Sequence, residues 1–519
     1  MRICALVGIG LLLSVFLVPS IAAFGLDDME LDFSDRTLKS SEYTPHDRIV
    51  IQRNEDFITQ GWAGSGSSED PFCISGLEFV TDSTGIEITD TSVYFSISDC
   101  YFTAASDPLW GTGVNLTRLQ NGLVENCVFE HINSGVMLEY ADMCTVSGST
   151  MDHTYIPLTL YESDDCSIRN NTIAGSILIY RSANCYIYEN DQTQYPLGED
   201  SVGLSITSSD GCVIAGNAFS EDCYGLWISC CLDTEVENNT FYHNGIVLRG
   251  PDEENFRIEE KMNSVNGRPL GYYYSVSNQV VNASEYGQII LASCQNIVIQ
   301  NGLFENTTIG ALLASCDGCW ITGTTLKNNV YGVAFDRVTG CGLNTSSIVN
   351  NYIGVLLEDL SVDVSIVKNI ISQNEQGIGF SSAGQCQVLE NIIVDNTHLG
   401  LGVGGAGSHI CYNTFGRNGM NAVDGGYGNS WDNGVDCGNW WDDATLGAVY
   451  VVPGEAGSVD RYPNGTAGTY TLPPTTVVKW IGNDTLNGTP LEVMVVIASS
   501  IGVVVLIGTI VYTRKGREG

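Results

Sequence analysis

The chain has 519 residues, with 60 Asp and Glu against 21 Lys and Arg, so its formal net charge is −39. This balance argues against a nucleic-acid partner, because phosphate binding needs clustered Lys and Arg. With 58 glycines and only 16% charged residues, the composition also excludes a disordered polyelectrolyte.

The first segment has the features of a secretory signal peptide. An apolar run over residues 3–18 follows a basic start, and small residues come directly after it. These features predict a signal peptide over residues 1–23 and export of the chain, with an uncleaved anchor as the alternative. Residues 24–48 are acidic and aperiodic, which predicts a flexible lead-in.

A repeat of about 22 residues fills the middle of the chain. A five-residue phrase recurs: a small or polar residue, Gly, an apolar residue, any residue, and a second apolar residue. A second phrase, apolar-any-Asn, lies between its copies. Short strands punctuated by Gly and Asn turns are predicted, since both residue types tolerate positive φ. The most regular glycines of the first phrase are Gly310, Gly332, Gly354, Gly377 and Gly400.

A repeat of this length predicts one coil of a parallel β-helix. Coils pair at about 4.8 Å, so about 14 coils over residues 85–413 would form one rod of roughly 70 Å. A leucine-rich repeat is disfavoured because the units have no helix-forming half, and a propeller blade needs about 40 residues. Residues 49–84 are expected to form an N-terminal cap with the first coil, and residues 414–463 a C-terminal cap.

The C-terminal segments predict a membrane anchor. Residues 464–490 have the composition of a stalk, and residues 491–513 contain about 20 consecutive uncharged residues, enough to span a bilayer as a helix. Three bases in residues 514–519 place that tail in the cytoplasm and the bulk of the chain outside the cell. The best candidates for glycosylation are Asn464, Asn483 and Asn487.

The 18 cysteines predict columns of buried thiols. Two pairs have the spacing of one coil, Cys144 with Cys166 and Cys319 with Cys341. Exported proteins commonly form disulfides, but buried Cys also packs as a small hydrophobe. We expect mostly free, inert thiols. The expected exceptions are Cys230 with Cys231 and Cys316 with Cys319.

Three further stretches carry a recognisable pattern. They are residues 64–72 (GSGSSEDPF), residues 263–274 (NSVNGRPLGYYY) with 287–301 (GQIILASCQNIVIQN), and residues 429–463, which contain NSWD, CGNWW and GSVDRYP. With these stretches the chain resembles, over residues 49–463, the NosD-like group of right-handed parallel β-helix proteins. This group is also described as carbohydrate-binding and sugar-hydrolase repeats, and exported archaeal members are common.

The resemblance implies a right-handed β-helix and leaves the activity open, since the group mixes enzymes, binding proteins and uncharacterised surface proteins. The Asp- and Gly-rich loop often found in the closing region of the group is missing here. Calcium in this region is therefore kept only as a candidate cofactor, beside copper.

An enzyme of this architecture would need specific side chains. A glycosidase needs two carboxyls about 5–10 Å apart, and a polysaccharide lyase needs a cationic base, usually with calcium. The bases are scattered, and most acids are expected to be solvated turn residues. The acid pairs that stand close in sequence are Asp164 with Asp165, Asp359 with Asp363, and Asp442 with Asp443.

One histidine pair has the spacing of a coil. His131 and His153 each follow an acid and are expected to stack on adjacent coils, where two imidazoles about 5 Å apart are able to ligate copper or zinc. No third ligand is evident from the sequence. Two surface turn histidines are the alternative interpretation.

Sugar binding without catalysis asks least of the sequence, because it needs only aromatic faces and polar edges in a shallow groove. Tyr272 and Tyr274 share one strand face. Trp440 and Trp441 lie in residues 414–463, which we call the closing segment, although aromatics also fill β-helix cores. The sequence therefore predicts a membrane-anchored extracellular module that binds a glycan or another surface polymer. The alternatives are a glycoside hydrolase or lyase, a structural or adhesive surface protein, and a copper accessory protein.

Overall fold

A computed structural model describes six ranges of the chain. They are residues 43–106, 110–193, 202–221, 224–358, 360–445 and 448–463. The predicted signal peptide, most of the lead-in, the stalk, the anchor, the tail and Asn464, Asn483 and Asn487 lie outside them. Within these ranges, no helix is long and apolar enough to cross a membrane.

The described residues form an all-β, right-handed parallel solenoid of about 16 turns. The first run of strands is β1 (Thr44–Pro45), β2 (Ile49–Ile51), β3 (Phe72–Ser75), β4 (Leu77–Val80), β5 (Thr84–Thr89), β6 (Phe95–Ser98), β7 (Tyr101–Thr103), β8 (Thr112–Gln120), β9 (Gly122–Glu125), β10 (Val128–Glu130), β11 (Ser134–Asp142), β12 (Thr145–Ser147), β13 (Thr150–Asp152), β14 (Ile156–Tyr161), β15 (Ser167–Arg169), β16 (Thr172–Ala174), β17 (Ile177–Tyr180), β18 (Tyr186–Tyr188), β19 (Asp191–Thr193), β20 (Val202–Thr207), β21 (Val213–Ala215), β22 (Ala218–Ser220), β23 (Tyr224–Ser229), β24 (Thr234–Glu237), β25 (Thr240–Tyr242), β26 (Ile246–Arg249), β27 (Ile258–Lys261) and β28 (Ser264–Val265).

The second run is β29 (Arg268–Tyr274), β30 (Val280–Asn282), β31 (Gln288–Ala292), β32 (Val298–Gln300), β33 (Leu303–Glu305), β34 (Ile309–Ala314), β35 (Trp320–Thr322), β36 (Thr325–Lys327), β37 (Tyr331–Asp336), β38 (Gly342–Asn344), β39 (Ser347–Val349), β40 (Ile353–Leu357), β41 (Ser365–Val367), β42 (Ile370–Ser372), β43 (Gln376–Phe380), β44 (Gln387–Leu389), β45 (Ile392–Val394), β46 (Leu399–Val403), β47 (His409–Cys411), β48 (Thr414–Gly416), β49 (Met420–Asp424), β50 (Trp440–Trp441), β51 (Tyr450–Val451) and β52 (Val459–Asp460). The described helices are α1 (Asn54–Thr59) and two short 3₁₀ turns, Glu253–Phe256 and Ala283–Glu285.

Every third strand of the first run belongs to the same sheet. Sheet 1 runs from β2 to β26, sheet 2 from β3 to β27, and sheet 3 from β1 and β4 to β28. Apolar side chains alternate inward along each strand and stack between coils, as in the Phe79, Phe102 and Phe129 column, whose successive ring centroids are 4.9 and 4.8 Å apart. The core therefore lies between the three sheets, and polar positions face outward.

The glycine column predicted from the repeat is confirmed, but its physical reason differs. Successive strands of the second run pair in register, with Val333 opposite Val355 and Val355 opposite Ile378. A Cβ at Gly354 would lie 2.6 Å from the carbonyl oxygen of Gly377 on the next coil. Close approach between coils, and not positive φ, requires glycine at these positions.

The apolar-any-Asn phrase combines two different positions. Asn238 has φ 53° and is the exposed turn residue, whereas the next residue, Asn239, is fully buried. Where the phrase ends at Asn391, the positive φ belongs to Glu390 instead. The turn prediction thus holds for Asn238, while Asn391 belongs to a buried ladder of asparagines that bond from coil to coil.

The stack of coils is interrupted after β28, which the repeat did not predict. Strand β28 pairs with β29 in antiparallel fashion, and the two residues between them, Asn266 and Gly267, have φ of 51° and 74°. Such a pair makes a tight hairpin, which reverses the chain. Sheet 3 continues across the hairpin through β31 to β49. Sheet 1 ends at β26 and sheet 2 at β27, and they are replaced by two new sheets, β30 to β47 and β33 to β50.

The second run packs against the last coils of the first through side chains. Arg249 on β26 forms ion pairs with Asp336 and Glu358, and its guanidinium lies 5.7 Å from the ring centroid of Trp227. The amide of Gln288 both donates to and accepts from the backbone of β26. Because the Arg249 and Asp336 side chains are only 9% exposed, these pairs join the two runs in a largely dry contact.

The expectation of mostly free thiols is confirmed for the described cysteines, among them Cys144, Cys166 and Cys212. The exceptions expected at Cys230 with Cys231 and at Cys316 with Cys319 were wrong, because Cys231, Cys316 and Cys319 are free and buried too. The column prediction holds: Cys319 donates its backbone N–H to the sulfur of Cys341 at 3.3 Å. Burial raises the pKa of Cys386 to about 11, which keeps that thiol protonated at neutral pH.

An ion pair in the closing segment predicts a pH-dependent stability. The Arg461 guanidinium donates to both oxygens of Asp432, at 2.9 and 2.6 Å, and holds the pKa of that buried carboxyl at about 2. Because the pKa of Asp432 is lower in the folded than in the unfolded state, its ionised form stabilises the fold at every pH above 3.8, its pKa in the unfolded chain. This stabilisation is lost as the pH falls towards 2. We expect Arg461→Gln to cost about 1–2 kcal/mol at pH 7 and much less near pH 2.

Urea unfolding of the purified protein at several pH values measures this difference. Arg257→Gln is the control, because the Arg257 guanidinium lies over the ring of Tyr274 and makes no ion pair within the described residues. A cost of Arg461→Gln that stays constant between pH 7 and pH 2 would contradict the prediction.

Candidate functional site

Three tyrosine side chains form a column near the C-terminal ends of neighbouring strands in sheet 1. Tyr161 and Tyr180 are register partners on β14 and β17, with ring centroids 5.7 Å apart and an interplanar angle of 27°. Tyr140, on the preceding coil, meets the Tyr161 ring edge-on at 5.6 Å and is 44% exposed. Burial, with the neighbouring Glu162 carboxylate, raises the pKa of the Tyr161 hydroxyl, so this ring stays neutral.

Carboxylates follow the tyrosines in the turn to sheet 2. Asp142 accepts the backbone N–H of Asp164 at 2.9 Å, and Asp164 accepts that of Ala183 at 2.7 Å, so each ties its coil to the next. Glu162 accepts a hydrogen bond from Arg181 at 3.2 Å. The Arg181 guanidinium in turn lies 4.9 Å from the centroid of the Tyr180 ring.

Five of these side chains line an open recess of about 460 Å³, which we call the turn recess. Its lining residues are Tyr140, Asp142, Glu162, Asp164 and Arg181. Aromatic faces beside hydrogen-bonding groups in a shallow depression are suited to sugar rings, which offer an apolar face and hydroxyl edges.

A second depression of about 440 Å³, the sheet recess, lies on sheet 2. Val213 and Ala215 on β21 are paired with the larger Tyr186 and Tyr188 on β18, so the small residues leave space beside the rings. Tyr186 is 52% exposed. The other lining residues are Glu189, Gly216 and Asn238.

The two recesses adjoin along the chain. Tyr180 ends β17 and Tyr186 begins β18, so one turn of five residues carries the chain from the first recess to the second. Sheets 1 and 2 repeat these positions at the coil spacing of about 4.8 Å. This arrangement offers successive subsites to a linear polymer.

The structure places the predicted aromatic residues elsewhere. Tyr272 and Tyr274 lie on β29, directly after the hairpin, and pack partly buried against the core of the first run. The Tyr272 hydroxyl donates to the carbonyl of Phe256 and accepts from the N–H of Ile258, both at 3.0 Å, and burial raises its pKa. Tyr272 and Tyr274 thus face the contact between the two runs.

The two tryptophans of the closing segment differ in exposure. Trp441 is buried, stacks on Phe415 at 4.5 Å and Tyr450 at 3.9 Å, and donates to Asp460 at 2.9 Å. Trp440 is half-buried on the opposite face of β50. The Trp441 ring is therefore packed in the core of the second run.

The predicted stacking of the histidines is confirmed, with ring centroids of His131 and His153 4.7 Å apart. Both residues have positive φ and lie in turns, and His153 Nδ1 is 3.0 Å from Asp152. Within the described residues, no three His, Cys, Asp or Glu side chains are arranged to hold a metal ion. The pair alone supplies two imidazoles, fewer than a protein copper site commonly uses.

Of the carboxyl pairs expected from the sequence, Asp442 with Asp443 has structural partners for both residues. Asn421 donates to Asp442 and Asp443, each at 2.9 Å, and Tyr450 donates to Asp443 at 3.2 Å. Asp164 lines the turn recess, whereas Asp165 is an exposed residue with φ 56°. Asp363 also has positive φ, at 55°, and Asp359 lies outside the described residues.

Sequence reasoning missed the tyrosines of the recesses. Tyr140, Tyr161 and Tyr180 are not identically placed in their repeats, since Tyr140 lies within β11 with φ 53° and the other two end strands. The spacing between coils also varies here, being 22 residues from Ser134 to Ile156 but 19 from Leu158 to Ile177. An alignment of the repeats that allows for this variation in coil length would have grouped the three rings.

These observations define a right-handed parallel β-helix protein with aromatic recesses on the outside of its first run. The chain belongs to the family described as periplasmic copper-binding protein (NosD), which it matches over residues 51–264 and 271–446. The break between the matched segments falls at the β28–β29 hairpin. The family description agrees with the predicted export, whereas among the described residues no three His, Cys, Asp or Glu side chains supply a copper site.

Solved structures similar to this chain are distant. The A-module of mannuronan C-5 epimerase AlgE4 from Azotobacter vinelandii has 14% identity and a TM-score of 0.26, covering 66% of this chain and 89% of its own. A mutant tailspike protein of E. coli bacteriophage HK620, in complex with a pentasaccharide, has 13% identity and a TM-score of 0.31, covering 62% and 68%. Alginate lyase from Paenibacillus sp. has 13% identity and a TM-score of 0.26, covering 65% and 97%. No curated protein matches the chain.

Proposed function

We propose that this protein is a non-catalytic module that binds an extracellular glycan or related surface polymer along the turn recess and the sheet recess. It acts at the cell surface, held by the C-terminal segment of residues 491–513, with the solenoid outside the cell. The observation that carries the proposal is the column of Tyr140, Tyr161 and Tyr180 beside an open recess.

Several properties of the recesses support binding without catalysis. The carboxylates of Asp142 and Asp164 are held by backbone N–H groups of the next coil, so their first task is to join coils. Glu162 is paired with Arg181. The Tyr140 ring, by contrast, is 44% exposed and lines the turn recess, so it is accessible to a ligand.

Removing the central ring is expected to weaken glycan binding. Tyr161→Ala should lower the affinity for the best-bound oligosaccharide at least about fivefold, because a stacked aromatic ring is a typical energetic anchor of a binding site. The measurement is a glycan array on the purified full-length protein, followed by calorimetric titration of the best ligand against wild type and variant.

Tyr427→Ala is the matched control, because Tyr427 is 77% exposed and lies on the second run, away from both recesses. Binding that falls equally in both variants, or an array without any bound glycan, would contradict the proposal. Release of shorter or unsaturated products during incubation would instead show a hydrolase or lyase.

A further inference from the structure

The turn recess is strongly acidic. Its lining includes three carboxylates, from Asp142, Glu162 and Asp164, and Arg181 is the only cation among the described residues that line it. That cation is already paired with Glu162. A polyanionic glycan would meet uncompensated negative charge here, in a chain whose net charge is −39.

The contacts of Arg181 show how a cation is accommodated in this recess. Its guanidinium lies over the Tyr180 ring and beside the Glu162 carboxylate. On the two preceding coils, Tyr161 and Tyr140 offer further rings, and Asp164 and Asp142 each have one oxygen that makes no hydrogen bond within the described residues. The coils repeat a ring and a carboxylate, whereas the described lining residues supply one cation, Arg181, on the last of the three coils.

We infer that the turn recess recognises an amino-bearing glycan, a polymer of hexosamine units with unacetylated, protonated amines. Each unit of such a polymer presents an apolar ring face and an ammonium group, which matches a tyrosine and a carboxylate on successive coils. The inference rests on the proposed function and specifies its ligand class.

The test compares three hexasaccharides by calorimetric titration at about pH 6, where amines are protonated and carboxyls ionised. They are β-1,4-linked glucosamine, its fully N-acetylated counterpart, and β-1,4-linked mannuronate. We expect the glucosamine chain to bind about tenfold more tightly than the acetylated chain and the mannuronate chain most weakly, with the advantage decreasing at high salt.

The double variant Asp142→Asn, Asp164→Asn removes the charge and keeps oxygens that accept the backbone N–H groups. It should bring glucosamine binding down to the level at which the wild-type protein binds the acetylated chain. Asp210→Asn is the matched control, since Asp210 accepts the N–H of Leu232 at 2.9 Å in the same kind of turn but does not line the recess.

The outcomes separate this inference from the proposed function. Equal binding of both neutral and amino chains, lost in Tyr161→Ala, overturns the inference and keeps glycan binding. No binding of any chain overturns both. An oligolysine that binds as tightly as glucosamine and competes with it, or glucosamine binding that falls equally in Asp210→Asn, shows general attraction of cations and overturns the inference.

Discussion

Asn239→Ala is expected to lower the free energy of unfolding by about 3–5 kcal/mol, because it leaves several buried polar groups without partners. The Asn239 carbonyl oxygen accepts from the backbone N–H and the amide of Asn217, at 2.9 and 3.0 Å. Its amide donates to the carbonyl of Ile214 at 2.8 Å and to Asn263 at 3.0 Å. Urea unfolding of the purified protein, followed by circular dichroism, measures the change.

The neighbouring residue provides the control. Asn238 is exposed and has φ 53°, so Asn238→Gly should change stability by no more than about 0.5 kcal/mol. Substitutions of two adjacent asparagines in one turn are thus expected to differ several-fold in their effect on the free energy of unfolding. Similar costs for both substitutions would show that the buried ladder does not bind the coils together.

Gly354→Ala is expected to cost about 3 kcal/mol or more, since the new methyl group has no space to enter. Its Cβ would lie 2.6 Å from the carbonyl oxygen of Gly377, 3.0 Å from Ile348 and 3.1 Å from the amide of Asn374. Two neighbouring coils would have to separate, and this would weaken the hydrogen bonds between β40 and β43. The unfolding midpoint in urea is the measurement.

Gly425→Ala is the matched control for this second substitution. Gly425 is exposed, and the nearest atom to a Cβ there is the carbonyl oxygen of Val403 at 3.9 Å, an ordinary contact distance. We expect a change within about 0.5 kcal/mol. If Gly354→Ala were equally mild, close approach of the coils would not be the reason for the glycine column.

The sequence predicted the repeat well because the repeat depends on local spacing. Gly354 recurs at nearly fixed intervals, and the columns of cysteine, such as Cys319 with Cys341, follow directly once coils stack in register. The interpretation of Asn391 as a turn residue failed because a buried side chain and a left-handed backbone both favour asparagine. Only the tertiary structure distinguishes the turn position of Asn238 from the buried position of Asn239.

The candidate site was harder to predict for a related reason. Tyr272 and Tyr274 alternate as surface residues do, yet they face the contact between the two runs. Tyr140, Tyr161 and Tyr180 come from three coils of unequal length. Whether their rings come into contact therefore depends on the lengths and conformations of the turns between strands. The sequence period alone carries no information on which outward faces remain uncovered.

By itself, the sequence determined the all-β repeat, the stacking of its glycines and thiols, and the family, because each depends on residues one coil apart. The tertiary structure decided the rest: the chain reverses at Asn266 and Gly267, Arg249 joins the two runs, and tyrosines from separate coils border the recesses. These features arise between segments distant in sequence, where packing, and not local periodicity, determines which side chains meet.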